Sequence, residues 1–169
     1  KITEFSQELL VEMSRYYNGK IGTGVVGSWR DCGYTFNGYD YLTFSAYPQA
    51  SRGIDSWLVP NLNVDSTSNN ALNLAYLTNW ARSVAQRSGI QILHIGETGV
   101  VNPDDTKRPD YASYAQGDKT KEADYYDELF RQEVGKINGI SVFYNSLNNY
   151  FSVYGDPAEK VVGEWYKKL

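Results

Sequence analysis

Cysteine and histidine occur once each in the 169 residues, as Cys32 and His94. A lone cysteine excludes an intrachain disulfide and a cysteine-based metal cluster. A lone histidine means that any Ser-His-Asp or Cys-His catalysis would have to run through His94. No run of 18 apolar residues is present, so nothing reads as a membrane span. Positive charge is also in short supply: the formal net charge is −4, and no basic stripe stands out. That balance argues against nucleic-acid or anionic-membrane partners. Lys1 is not an initiator methionine and no signal-peptide pattern follows it, so the N-terminus reads as a processed or cleaved end.

Aromatic residues, by contrast, make up 15% of the chain, with 15 Tyr and 4 Trp. Such an excess suits a surface that stacks on sugars or another amphipathic ligand, and it equally suits an aromatic-rich core. The length fits a single domain, residues 1–169, large enough for a sizeable core.

Periodicity predicts an alternation of helices and strands. Phe5, Leu9, Leu10, Met13 and Tyr17 recur at helical spacing and form the expected inward stripe of a first helix. A β-rich run over 20–26 and a second strand over 41–46 follow, separated by the Asn37-Gly38 turn. Residues 70–88 read as a helix with Leu74, Leu77, Ala81 and Val84 on one face and Gly89 as its stop. A strand over 90–95, a helix over 119–134 carrying Ala123, Tyr126, Phe130 and Val134 inward, and a strand over 140–144 come next. Asp156-Pro157-Ala158-Glu159 combines an N-cap, a first-turn proline and a capping-box glutamate. The last helix is expected to pack through Val161, Val162, Trp165 and Leu169. Alternation of this kind implies parallel strands with helical crossovers. Helix-to-strand links are short, whereas the strand-to-helix links over 48–69, 98–118 and 145–155 are long. The working surface therefore belongs at the C-terminal ends of the strands.

Glu97 ends the apolar run Ile90-Gln91-Ile92-Leu93-His94-Ile95-Gly96-Glu97. A carboxylate there calls for partners, because burying one alone costs several kcal/mol. Barrel enzymes place catalytic carboxylates at such strand ends; an N-cap or a salt bridge at the strand exit is the plainer alternative. If Glu97 points inward, strict alternation puts Leu93 and Ile95 on its side and turns His94 toward the helices as a structural histidine.

Three segments carry a resemblance. Ile92-Leu93-His94-Ile95-Gly96-Glu97-Thr98-Gly99 resembles the seventh strand of glycoside hydrolase clan A, the retaining (β/α)8-barrel β-glycosidases and endoglycanases, whose terminal glutamate is the nucleophile. Tyr39-Asp40-Tyr41-Leu42-Thr43-Phe44-Ser45-Ala46-Tyr47-Pro48 resembles the sixth strand, whose closing tyrosine hydrogen-bonds that nucleophile. Gly139-Ile140-Ser141-Val142-Phe143-Tyr144-Asn145 resembles the eighth, where an aromatic forms the floor under the sugar. The order and spacing are most like the β-mannanase and β-galactanase branches.

The resemblance implies an α/β fold in which this chain is the C-terminal half, strands five to eight, of a TIM barrel. It implies Glu97 as nucleophile, Tyr47 as its partner, and Trp29, Phe143 and Tyr144 as sugar-binding faces, with no cofactor and no metal. The implied partners are an oligo- or polysaccharide substrate and the N-terminal half of the barrel, on the same or a second polypeptide, or a homo-oligomer partner. An enzyme acting on a polymer would suit secretion. Two departures stand out: Phe143 and Tyr144 replace the usual strand-eight tryptophan, and the Asn-Glu pair that carries the family's acid/base is absent. A retaining glycosidase needs a second carboxyl group about 5–5.5 Å from the first. Four strands alone are also expected to expose an apolar inward face and two bare edges.

Other readings compete. Asp31, Asp55 and Asp65 read as solvated loop acids, as do Asp104, Asp105, Asp110 and Asp118, which lack the ligand spacing of a calcium loop. Gly22-Thr23-Gly24-Val25-Val26-Gly27 fits G-x-G-x-x-G, but no helix start follows it, as a dinucleotide site would require. A non-catalytic carbohydrate-binding or scaffold half-barrel would keep the loops and aromatics without an acid/base. Metal-assisted hydrolysis lacks a histidine cluster.

Overall fold

The computed structural model describes residues 2–26, 33–46, 67–99, 119–142 and 153–169. Eight elements follow in order: α1 (Ile2–Ser14), β1 (Gly22–Val26), β2 (Tyr41–Ser45), α2 (Thr67–Arg87), β3 (Ile92–Thr98), α3 (Lys119–Glu133), β4 (Gly139–Val142) and α4 (Pro157–Tyr166). The strands form one parallel sheet in the order β1-β2-β3-β4. Sequential order without a reversal, with the right-handed crossovers that parallel strands almost always make, places the helices on one face of the sheet and leaves the other without a helix among the described residues. The fold is therefore α/β with a four-stranded parallel sheet. The long strand-to-helix links expected from the sequence lie outside the described residues.

The covered face follows from period-2 alternation. Leu42 and Phe44 on β2 and Leu93, Ile95 and Thr98 on β3 point toward the helices and are 0–5% exposed. α2 meets them with Leu74, Leu77, Ala81 and Val84, and α3 with Tyr126, Leu129 and Phe130, all buried as their helical spacing predicts. Each large apolar side chain sealed in this layer contributes about 1.5–3 kcal/mol. Gly89 (φ 70°) and Gly135 (φ 82°) end α2 and α3 in the left-handed conformation that glycine adopts without steric cost.

Two buried glutamates bracket α3. Glu133 accepts a hydrogen bond from Thr78 Oγ1 at 2.9 Å, while Glu122 is fully buried and its carboxyl oxygens have no hydrogen-bond partner among the described residues. Burial, reinforced by the neighbouring Asp156 charge and partly offset by Lys119, pushes the Glu122 carboxyl up to about 8. Burial raises Glu133 as well, against the Thr78 hydrogen bond.

Several local expectations are corrected. Asp156 makes no side-chain cap on α4; its carboxylate is drawn instead to Lys119 Nζ, at 2.7 Å, pinning the starts of α3 and α4 together. Glu159 reaches back to the Gly155 N–H (2.8 Å), one residue beyond the cap position. Leu169 does not pack and is 69% exposed. α1 turns a different stripe inward from the one predicted. Ser6 is buried against Tyr39, with Ser6 Oγ donating to Tyr39 Oη and Tyr39 Oη donating to the Ser6 carbonyl. Gln7 Nε2 donates to the Asn37 carbonyl. Phe5, Leu9, Met13 and Tyr17 are left exposed.

Candidate functional site

The helix-free face carries the odd members of β2 and their in-register neighbours. Tyr41, Thr43 and Ser45 align with Ile92, His94 and Glu97 on β3, Gly22 and Gly24 stand beside them on β1, and Gly139 faces His94 from β4. This corrects the expectation of an apolar inward face: small and polar side chains dominate it. A trough of about 600 Å³ runs over this face, lined among others by Thr43, Ser45, His94, Glu97 and Ser141.

A β-bulge puts Glu97 there. Phe44 pairs with Ile95, yet the next residue, Ser45, pairs with Glu97; on the other side the register jumps from Ile95 to Thr98. Gly96 is the extra residue, and two successive residues share the open face. A Cβ on Gly96 would lie 2.8 Å from Thr43 Cβ, so only glycine allows this approach. The bulge also overturns the predicted parity. His94 and Glu97 occupy the same face, and it is Leu93, Ile95 and Thr98 that turn to the helices.

Glu97 is half-buried, and Ser45 Oγ donates to its Oε2 at 3.2 Å. The strand end is also fixed through the backbone, since the Ala46 N–H donates to the Glu97 carbonyl at 2.9 Å. From the covered side Tyr125 clamps both strands. Its hydroxyl donates to the Ala46 carbonyl at 3.0 Å and lies 2.7 Å from Thr98 Oγ1. His94 lies over Gly139, where a Cβ would meet the imidazole at 3.1 Å, and its ring faces Tyr41 at 5.7 Å between centroids. Tyr41 in turn covers Gly22. Gly22 and Gly24 thus sit within β1, beneath or beside larger neighbours, and form no phosphate-binding turn.

Of the residues singled out in the sequence, Glu97 stands in the trough. Tyr47, Trp29, Phe143 and Tyr144 lie outside the described residues, as do Asp31, Asp55, Asp65, Asp104, Asp105, Asp110 and Asp118. Sequence reasoning missed Ser45, His94 as a face-mate of Glu97, and the Tyr125 clamp. Two signals were available: the alternation Tyr41-Thr43-Ser45 against Leu42-Phe44-Ala46, and a glycine inside a strand, which marks a bulge or a close approach.

The arrangement offers one oriented carboxylate, several hydroxyls and an imidazole on a concave surface. Glu97 is the one carboxylate lining the trough among the described residues, and no group of three or more His, Cys, Asp or Glu that could hold a metal occurs among them. No helix of the described residues is long and apolar enough to cross a membrane. No protein-family model, curated protein or solved structure matches the chain.

Proposed function

We propose that this chain is the second half, strands five to eight, of a (β/α)8 barrel of the retaining β-glycoside hydrolases, similar to the β-mannanase and β-galactanase branches of clan A. The substrate class is a β-linked oligo- or polysaccharide. Glu97 attacks the anomeric carbon as the leaving oxygen departs and forms a covalent glycosyl ester, which water then opens. A second carboxyl group, supplied from outside these 169 residues by the N-terminal half, protonates the leaving oxygen and afterwards deprotonates the water. Tyr47 holds the nucleophile, and Trp29, Phe143 and Tyr144 offer faces to the sugar rings.

The observation that carries this reading is the placing of Glu97. It is a half-buried carboxylate, hydrogen-bonded by Ser45, in an open trough at the C-terminal end of a parallel strand. The sheet's order also supports it, because helices on one side only are what closure into a barrel requires, whereas a doubly wound sheet would reverse. In the complete assembly Glu97→Gln is expected to lower kcat by several orders of magnitude while leaving the fold intact, as removal of a nucleophile does. Unchanged turnover would overturn the assignment.

A second reading is favoured by the lone carboxylate in the trough: a half-barrel that binds carbohydrate without cleaving it. It predicts saccharide binding that Glu97→Gln leaves intact, with no hydrolysis in the unsubstituted protein.

A further inference from the structure

Three Asn-Gly pairs occur in the chain: Asn18-Gly19, Asn37-Gly38 and Asn138-Gly139. The pair invites one spontaneous reaction, because glycine puts no side chain beside its own amide nitrogen. That nitrogen, once deprotonated, attacks the asparagine Cγ. Ammonia leaves, carrying the proton, and water opens the resulting cyclic imide at either carbonyl. One opening gives aspartate. The other gives isoaspartate, in which the main chain runs through Cβ and Cγ and is longer by a carbon.

The structure separates the three pairs. Asn138 is tied to Leu93 twice: its N–H donates to the Leu93 carbonyl at 2.8 Å, and its Oδ1 accepts the Leu93 N–H at 2.9 Å. Gly139 is paired with His94, whose ring overlies it. The Asn138 side chain cannot swing onto the Gly139 nitrogen without breaking its own bond. Gly19 is covered by the Tyr17 ring. Asn37 and Gly38, by contrast, are both exposed. Neither the Asn37 side chain nor the Gly38 N–H makes a hydrogen bond among the described residues. They are the middle residues of a turn closed by the Tyr39 N–H on the Phe36 carbonyl (3.4 Å), with Gly38 at φ 87°.

α1 docks on this same turn. Gln7 Nε2 donates to the Asn37 carbonyl at 2.7 Å, Ser6 pairs with Tyr39, and Leu10 Cδ2 stands 3.0 Å from where a Cβ on Gly38 would be. Isoaspartate formation turns the carbonyl that Gln7 uses into a free carboxylate outside the main chain, and the longer chain displaces Gly38 and Tyr39. Little else of α1 compensates, since Ile2, Phe5, Leu9 and Met13 are exposed. We propose that Asn37-Gly38 is a site of spontaneous deamidation to isoaspartate, and that its conversion releases α1 from the turn at residues 36–39. The turn precedes β2, at the end of the sheet opposite Glu97, so the inference is independent of the proposed function.

The test incubates the purified full-length protein in mildly alkaline, heavy-oxygen water. Peptide mapping with electron-transfer fragmentation then locates each converted residue and separates aspartate from isoaspartate. Residue 37 is expected to convert first, mainly to isoaspartate carrying heavy oxygen. Its rate should exceed that of Asn138 by at least about tenfold, because the Leu93 hydrogen bonds add to the Asn138 barrier. Amide exchange over residues 2–14 should rise by at least about tenfold in the converted fraction, as loss of the Gln7 and Ser6 anchors requires. Asn37→Gln keeps the backbone carbonyl but lacks the reach for the same imide, and should hold its slow exchange through the incubation. Conversion of Asn18 or Asn138 ahead of Asn37 would overturn the site. Isoaspartate at 37 with unchanged exchange over 2–14, or an equal rise in Asn37→Gln, would overturn its effect on α1.

Discussion

The two faces of the sheet are built from the same strands and differ at every alternate residue. On one face Leu42, Phe44, Leu93 and Ile95 are sealed under α2 and α3. On the other, Thr43, Ser45, His94 and Glu97 line an open trough beside glycines that larger rings overlie. Stability thus resides on one face, and the proposed chemistry on the other. The Gly96 bulge is the joint between them: were Gly96 paired as an ordinary strand residue, strict alternation would put Glu97 on the covered side, where an unpaired carboxylate is costly.

The comparison breaks most readily from the covered side. Phe44→Ala removes a side chain that is 1% exposed and is expected to cost about 3–5 kcal/mol in chemical denaturation, as large-to-small core changes do.

Glu122→Gln is expected to work in the opposite direction. The carboxyl is ordinary in the unfolded chain and raised to about 8 in the folded one, so the folded state binds its proton more tightly. Its contribution is complete at pH values below the ordinary carboxyl range and is lost as pH rises through about 8. The glutamine variant removes that loss. Stability should rise by on the order of 2 kcal/mol at pH 7, more at pH 9, and change little at pH 4, as thermal melts at the three pH values will read.

Gly96→Ala sharpens the role of the joint. The added methyl meets Thr43 at 2.8 Å, and a cost of about 1–3 kcal/mol is expected from overpacking. Activity of the assembly should fall with it, because Glu97 moves. Tyr125→Phe removes the hydroxyl that joins Thr98 and the Ala46 carbonyl, for about 1–2 kcal/mol. Ser45→Ala, on the open face, should change the melting midpoint least, within about 0.5 kcal/mol, while still lowering kcat through the loosened carboxylate. A large stability loss at Ser45 would erase the distinction between the faces.

Much of this layout was legible in the sequence, for identifiable reasons. The α2 stripe and the left-handed stops at Gly89 and Gly135 follow from local periodicity and from glycine's backbone freedom. The polar face was equally present in the alternation of 41–46. What could not be read was set by contacts distant in sequence. Periodicity marks an apolar stripe on α1 but cannot say which surface it meets; the Ser6–Tyr39 pairing, 33 residues apart, turns that stripe sideways. Asp156 carries a good capping side chain, yet Lys119 competes for it successfully. Strict alternation placed His94 behind Glu97, and one inserted glycine reversed the relation. The aromatic positions Trp29, Tyr47, Phe143 and Tyr144 remain readings of the sequence, since they fall outside the described residues.

The most direct test of the central claim is to trap the intermediate. The complete assembly would be treated with activated 2-deoxy-2-fluoro β-glycosides of mannose, galactose and glucose, then digested and mapped by mass spectrometry. The account predicts one stoichiometric glycosyl adduct, on the Glu97 side chain, with inactivation tracking its formation. An adduct on another carboxylate, or sustained hydrolysis of these glycosides with Glu97 unmodified, would contradict it.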